Sequence, residues 1–187
     1  MEFLLSQLQA TAKQRQQGDQ RALIIAVHHP PFTGSVNHFP SPDMLADIDA
    51  ACAQTVIMPD LVLSGHSHLY ERYIRYIGGR QIPYVVAGNG GFYNLAGFKK
   101  GKQGVPPVPG VTGTDGKGNP LTLKAFSENT FGFMRITVDA KSILVESVGV
   151  NEQSGKTSMQ DIPWPGCKSQ LPRIPFGRWA KSRPEPF

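Results

Sequence analysis

The chain has 187 residues, of which 40% are hydrophobic, and a formal net charge of +5. This length and composition are typical of one globular domain with a substantial core, and they exclude a disordered chain. No apolar stretch approaches the roughly 20 residues that are needed to span a bilayer, so we expect no membrane partner.

The first predicted elements are a helix and a buried strand. In residues 2–17, leucine and alanine side chains recur at a helical period, and Gly18 is expected to end this helix. The run from Leu23 to Val27 is short and continuously apolar, which predicts a strand buried on both faces. That strand ends directly at His28.

A loop and a second helix are predicted next. Pro30 and Pro31 interrupt the chain, and residues 33–40 are predicted to form a loop. Ser41 is predicted as the N-cap of the helix and Pro42 as its first residue. The buried face of this helix is predicted to hold Leu45, Ile48 and Cys52.

Two more short strands are predicted, and each leads into a turn that contains glycine. Leu61 to Leu63 precedes the sequence Gly-His-Ser-His at 65–68, and Ile82 to Ala87 precedes Gly-Asn-Gly-Gly at 88–91. Glycine permits positive φ angles and a close approach of the backbone. We therefore expect tight turns at both strand ends.

The second half of the chain predicts a loop and a hairpin. Glycine, proline and lysine dominate residues 99–119, which are expected to form a long surface loop. Phe131 to Val138 and Ser142 to Val148 are predicted to form a closing hairpin. We find no internal repeat, and residues 1–150 are predicted to form one domain or part of one.

Residues 151–187 are predicted to form a proline-rich, basic extension. Much of the net charge lies in its last part, from Pro163 to Phe187, where five basic residues face a single acid, Glu185. A solvated extension and a partner-binding arm are the two interpretations of this composition. Because the charge does not lie on a folded module, we expect no nucleic-acid partner. The basic residues are Lys168, Arg173, Arg178, Lys181 and Arg183.

All five histidines of the chain lie between His28 and His68. Two predicted core strands each end at histidine, and open α/β sheets place their ligands at the C-terminal ends of strands. His66 and His68 are two residues apart, so both rings can point to one side of an extended segment. Neutral imidazole binds zinc, iron and manganese. The pattern therefore predicts a metal site, and histidines with a purely structural role are the alternative.

Three stretches of the sequence carry a resemblance to a known family. LIIAVHHPPF, PDLVLSGHSHLYER and IPYVVAGNGG resemble the C-terminal part of the calcineurin-like metallophosphoesterase domain, in particular its purple acid phosphatase-like branch. The resemblance covers residues 1–150. It implies an α/β fold, the C-terminal part of a four-layer α/β/β/α sandwich with a mixed sheet. It also implies a hydrolase that cleaves phosphate esters through a hydroxide activated by two metal ions, with Fe, Zn or Mn as the metals.

The resemblance also implies roles for the histidines. His28 and His66 are expected to bind one metal, and His68 is expected to bind the other. His28 is preferred to His29 because the ligand histidine of the family stands two residues before the proline. His29 is then expected to pack behind the ligands. His38 is expected to contact the phosphate and to protonate the leaving group, although an ordinary loop histidine is the alternative.

Arg72 follows the Gly-His-Ser-His motif closely. Its guanidinium group is predicted to pair with a phosphate oxygen of the substrate, because the fork of N–H donors matches phosphate geometry. The alternative is that Glu71 and Arg72 form a solvated ion pair on the surface.

The chain departs from the family in one large respect. The family's N-terminal motifs DxH, GDxxD and GNH[DE] do not occur in it, and Asn89 lies in the wrong context to replace their asparagine. We therefore expect the C-terminal half of a longer phosphoesterase, with Met1 an internal or artificial start. Such a half would hold at most one metal weakly, and it could associate with the missing N-terminal half.

Two classes of function follow from this departure. The first is a phosphoesterase whose complete form hydrolyses a phosphate ester. The second is a non-catalytic metal-binding or interaction module derived from a truncated phosphoesterase. No signal peptide is visible, and the compartment is left open, with a periplasmic or secreted location compatible with the sequence.

Overall fold

A computed structural model describes residues 2–99, 109–110, 112–139, 142–151, 158–161 and 174–175. Within these ranges no helix combines the length and the apolar character that crossing a bilayer requires. The elements are α1 (Glu2–Gln16), β1 (Ile24–Ala26), α2 (Pro42–Thr55), β2 (Leu61–Ser64), β3 (Tyr70–Ile77), β4 (Arg80–Ala87), β5 (Thr112–Thr114), β6 (Pro120–Ser127), β7 (Gly132–Val138), β8 (Ser142–Asn151), β9 (Ser158–Asp161) and β10 (Ile174–Pro175).

Both predicted helices are confirmed. Helix α1 ends at Gln16, and Gly18 has a φ of 93°, which is a conformation that glycine adopts without strain. At the start of α2, the hydroxyl of Ser41 accepts the backbone N–H of Met44, and Pro42 is the first helical residue. The predicted buried face is also confirmed, with Leu45, Ile48 and Cys52 all buried.

The first sheet has six strands in the order β1-β2-β4-β3-β6-β5. Strands β1, β2 and β4 are parallel to one another, whereas β3, β5 and β6 join by antiparallel pairings. The predicted mixed sheet is thus confirmed. The prediction that the first strand is buried on both faces is wrong, because β1 lies at the end of the sheet and its Ala26 is exposed.

Three strands of this sheet, β3, β5 and β6, lie where none was predicted. Strand β3 follows the Gly-His-Ser-His motif directly, and β6 occupies residues between the predicted loop and the predicted hairpin. The predicted surface loop at 99–119 is wrong in part, because Thr112–Thr114 pairs with β6 as strand β5. Residues 100–108 and 111 of that loop lie outside the described residues. The closing hairpin is confirmed as β7 and β8, which pair from Gly132↔Gly149 to Val138↔Ile143.

The first sheet lies between the helices and a second sheet. Its odd and even residues alternate between two cores, as neighbouring Leu61 and Val62 show. Val62 packs with the helices, including Ile48 of α2, whereas Leu61 packs with Ile143 and Val145 of β8. The described residues therefore form three layers, helix on sheet on sheet. The predicted α/β class is confirmed.

The second sheet reaches into the predicted extension. Strands β9 and β10 both pair with β8, in the order β10-β8-β7 with β9 alongside. Other residues from 152 to 187 lie outside the described residues, including the basic residues that define the extension. The domain boundary at residue 150 stays a prediction.

Candidate metal centre

The two histidine motifs meet because β1 and β2 are parallel neighbours. Ala26 pairs with Leu63, and the N–H of Val27 donates to the carbonyl of Leu63 at 2.9 Å. One step further, the N–H of Gly65 donates to the carbonyl of His28 at 3.1 Å. The backbones of the two motifs are therefore hydrogen-bonded to each other at the C-terminal edge of the sheet.

Three histidine side chains converge at this edge. One ring nitrogen from each of His28, His29 and His66 lies within 4.8 Å of the others. Nε2 of His28 and Nδ1 of His66 are 3.2 Å apart. The ring centroids of His29 and His66 are 4.3 Å apart, and those of His28 and His66 are 5.0 Å apart. His28 and His29 are exposed, so solvent ions can reach the group.

The group fits a metal ion in both spacing and chemistry. Two nitrogens that share a tetrahedral metal at about 2.0 Å are themselves about 3.3 Å apart, close to the 3.2 Å that separates the His28 and His66 nitrogens. Burial and then the neighbouring histidines lower the pKa of His66 below its usual value, which favours the neutral imidazole that metals require. Measured between ring centroids, His29 is closer to His66 than His28 is. The preference for His28 as the ligand therefore stays a prediction.

His38 and His68 extend the group on one side. The ring centroid of His38 is 4.7 Å from that of His66 and 4.7 Å from that of His68. His68 also packs against the exposed ring of Phe92, with centroids 4.0 Å apart. Burial, followed by the effect of His38, lowers the pKa of His68. All five histidines thus form one continuous cluster, and their separate roles stay predictions.

The turn that carries His66 has an uncommon backbone. His66 has a φ of 60°, a left-handed conformation that non-glycine residues rarely adopt. Beneath the turn, the N–H of Gly88 donates to the carbonyl of Leu69 at 3.1 Å, and the carbonyl of Ser67 occupies the space that a side chain at 88 would need. The close backbone approach predicted for the Gly-Asn-Gly-Gly turn is confirmed at Gly88.

Asn89, in the same turn, has a structural role. It is buried, its side-chain N–H donates to the carbonyl of Thr130, and its own carbonyl accepts the N–H of Gly132. These contacts tie the end of β4 to the start of β7. Because the side-chain amide of Asn89 is used in this way, the structure agrees with the prediction that Asn89 is not a metal ligand.

The alternative of a solvated Glu71–Arg72 pair is wrong. Glu71 is completely buried, and Arg72 is half-buried with a buried Nε that has no hydrogen-bond partner among the described residues. Arg72 alternates with Glu71 along β3 and so shares the face of Tyr70, which packs toward the second sheet. A contact of Arg72 with substrate stays a prediction.

Glu71 has a role in this region that its sequence pattern did not predict. Its carboxylate accepts the backbone N–H of Gly34 at 2.6 Å and the hydroxyl of Tyr73 at 3.2 Å. Gly34 belongs to the loop that follows the first histidine motif. The signal in the sequence was position alone, because Glu71 lies three residues after His68, at the end of the second motif.

Comparison with known proteins finds similar structures but no matching family of sequences. No protein-family model matches the chain, and no curated protein matches it. Its fold resembles the purple acid phosphatase PPD1 from seeds of yellow lupin (Lupinus luteus), with a TM-score of 0.51 and 19% identity over 75% of this chain and 24% of that chain. It also resembles GAP50, the anchor in the inner membrane complex of Plasmodium, with a TM-score of 0.45 and 13% identity over 75% and 36% of the two chains.

The likeness to the lupin phosphatase supports a metallophosphoesterase-like fold. At 19% identity it shows the fold alone. The chain spans about a quarter of the length of that phosphatase. The α/β fold of the described residues is consistent with a partial metallophosphoesterase-like domain, and His28, His29 and His66 are residues that could hold a metal ion.

Proposed function

We propose that the histidine cluster is one half of a metallophosphoesterase centre that hydrolyses phosphate esters. In this proposal His28 and His66 bind one metal ion and His68 binds a second ion when the other half of the centre is present. The observation that carries the proposal is the 3.2 Å separation of the His28 and His66 nitrogens at the C-terminal ends of two parallel strands. The fold likeness to a purple acid phosphatase supports the same interpretation.

Each histidine of the cluster has its own role in this proposal. A divalent ion bound by the imidazoles would polarise a phosphoryl oxygen and lower the pKa of a bound water to about 7. The ring of His38 packs against those of both His66 and His68, where it can hold a phosphate oxygen and give a proton to the departing alcohol. His29 packs against both His28 and His66 and limits the rotation of their rings.

A non-catalytic metal-binding module is the second candidate. The metal-compatible group in the described part of the chain contains three imidazoles and no carboxylate. Bridging two metals and activating a nucleophile usually require carboxylate ligands as well. A chain that binds one ion and does not hydrolyse esters, alone or with further upstream sequence, would have this second function.

Metal binding and hydrolysis are tested separately. We would titrate Zn²⁺ into the chain by calorimetry, confirm the stoichiometry by elemental analysis, and measure hydrolysis of p-nitrophenyl phosphate. The ligand-loss variant is His66→Gly, because glycine accepts the left-handed backbone of that position without strain. The same measurements are made on a version extended upstream in its reading frame to any DxH and GNH[DE] motifs.

The outcomes distinguish the candidates. One Zn²⁺ bound by the chain and lost in His66→Gly, with hydrolysis and a second ion in the extended version, would support the phosphoesterase. Zn²⁺ binding without hydrolysis in either version would support the module. Absence of any binding that depends on His66 would contradict both.

A further inference from the structure

Glu71 is a buried acid that is hydrogen-bonded to the loop after the first histidine motif. The side chain is completely buried on the helix-facing side of β3, and its Oε1 accepts both the Gly34 N–H and the Tyr73 hydroxyl. Its other oxygen, Oε2, has no hydrogen-bond partner among the described residues. A buried carboxylate is costly, and a core position that needed only volume would be filled by an apolar side chain.

Gly34, which donates its N–H to Glu71, is connected to His38 through Ser35. Gly34 is followed by Ser35, which is fully buried and whose hydroxyl accepts the N–H of His38 at 3.2 Å and of Asn37 at 3.3 Å. The place of the His38 backbone is therefore set by Ser35, and the place of Ser35 is set by its neighbour Gly34. His38 in turn lies 4.7 Å from both His66 and His68.

The loop is fixed from its other side as well. The carbonyl of Gly34 accepts the N–H of Lys99 at 2.7 Å, and Ser35 forms a β-bridge with Phe98. A Cβ atom at residue 34 would overlap the ring of Phe98. Gly34 thus lies between the ring of Phe98 and the Glu71 carboxylate, which accepts its N–H.

The charges around Glu71 agree with this role. Burial raises the pKa of Glu71 to about 7, and the hydrogen bonds from Gly34, Thr33 and Tyr73 together with the charge of Lys99 oppose that rise. Lys99 itself is exposed. The carboxylate thus interacts chiefly with Thr33 and Gly34 of the loop and with Tyr73 of its own strand.

We propose that Glu71 is a positioning residue, which holds Gly34 and thereby places His38 over His66 and His68. Glu71 has no contact of its own with the histidines in this scheme, and it acts through the loop. The part of the proposal that concerns phosphate rests on the function proposed above, whereas the part that concerns the place of His38 does not.

The first experiment measures phosphate binding by the Zn²⁺-loaded chain. Inorganic phosphate is titrated into the wild type, Glu71→Leu, His38→Ala and the double variant, after the Zn²⁺ affinity of each has been measured. Because Glu71 acts through His38, we expect each single change to weaken phosphate binding about fivefold to tenfold and the double variant to be no weaker than His38→Ala. Glu71→Gln keeps an oxygen that can accept the Gly34 N–H, and it should restore most of the affinity.

The second experiment needs no metal and no phosphate. The ring signals of His38 are followed by ¹H–¹³C NMR in the wild type, in Glu71→Leu and in Ser35→Ala, which breaks the link while Glu71 stays in place. We expect both variants to move the His38 signals and to leave residues of β7 and β8 unchanged. If Glu71→Leu does not fold, Ser35→Ala still tests the link to His38, and Glu71→Gln, which keeps an acceptor for the Gly34 N–H, should leave the His38 signals unmoved.

The proposal is overturned if the His38 signals do not move in a folded Glu71→Leu or Ser35→Ala variant. It is also overturned by a double variant whose phosphate affinity falls by the product of the single losses, or by a Glu71→Gln variant as weak as Glu71→Leu. Failure of the wild type to bind Zn²⁺ or phosphate would contradict the proposed function instead, and the NMR comparison would still decide the role of Glu71.

Discussion

The carbonyl oxygen of Ser67 lies in the space that the Cβ of any residue other than glycine at position 88 would occupy. Ser67 stands between the two histidines of the second motif, and Gly88 begins the turn after β4. The carbonyl of Leu69 accepts the N–H of Gly88, so the two backbones are in direct contact. A glycine far from the histidines in sequence therefore supports the turn that presents them.

Substitution of Gly88 tests this relationship. Gly88→Ala should lower the free energy of unfolding by about 2 kcal/mol or more, because the clash is with backbone that cannot rotate away. Gly90→Ala is the matched control, since a Cβ there meets only ordinary contact, and it should cost less than about 0.5 kcal/mol. Urea denaturation of both variants measures the difference, and equal stabilities would contradict the close contact between the backbones of Ser67 and Gly88.

A second prediction concerns the buried cation Arg75. Its guanidinium group bonds Asp49 of α2 at 2.6 Å and Asp115, near β5, at 2.8 Å, and it is 1% exposed. Arg75→Met should lower the free energy of unfolding by about 3 to 5 kcal/mol, because it leaves Asp115 buried without its cation. Arg135→Met, which breaks the exposed ion pair with Glu146, should cost less than about 1 kcal/mol.

Thermal or urea unfolding of the two arginine variants gives the comparison. A loss at Arg75 no larger than at Arg135 would show that the Asp49 and Asp115 carboxylates find other donors. Asn119 is one such donor, since its side chain bonds Asp115 at 2.8 Å.

A third prediction concerns the pH dependence of stability through Glu71. Burial raises its pKa from 4.5 to about 7 in the folded chain. The folded state therefore binds this proton more tightly than the unfolded state, and the resulting stability is present at pH 4.5 and lost as the pH rises through 7. Relative to Glu71→Gln, the wild type should lose stability on the order of 3 kcal/mol between about pH 5 and pH 8.

The comparison with Glu71→Gln removes the contribution of the histidines. Their lowered pKa values at His66 and His68 make stability rise with pH, in the opposite direction, and this effect is the same in both proteins. Chemical denaturation at a series of pH values gives the two curves. Parallel curves would show that Glu71 does not titrate in this range.

A fourth prediction concerns metal binding and stability. If His28 and His66 hold Zn²⁺ within the group that they form with His29, an excess of about 100 times the dissociation constant should raise the free energy of unfolding by about 2.7 kcal/mol, and a chelator should reverse this. His66→Gly should abolish the effect. His68→Ala should keep most of it, because His68 lies outside that group. Equal losses in both variants would place the ion between His66 and His68 instead.

The sequence predicted best those features that depend on neighbouring residues. Ser41 and Pro42 are local signals, and the helix start that they predict is confirmed. The meeting of the histidine motifs was also predictable, since both follow strands and parallel strands end at one edge. Strand β1 was misjudged because its apolar run says nothing of its place at the end of the sheet.

Strand β3 was missed because its charged residues look like surface residues in the sequence. Glu71 and Arg75 are nevertheless fully buried, and their partners Gly34, Asp49 and Asp115 are 26 to 40 residues away. No local pattern can reveal such pairings. The same limit applies to the site, because the choice between His28 and His29 as the metal ligand depends on the positions of their rings.

The topology of the first sheet also has a consequence for folding. Strands β3 and β4 form a hairpin closed by Gly78 and Gly79, both with positive φ, so its contacts are local in sequence. The pairing of β1 with β2 brings together residues as far apart as Leu23 and Asp60, 37 positions along the chain, and His28 and His66 are 38 apart. Distant contacts close later than local ones because loop closure costs entropy. We therefore expect the hairpin to form early and the histidine cluster to assemble late, so that the three imidazoles that could hold a metal ion come together only once folding is nearly complete.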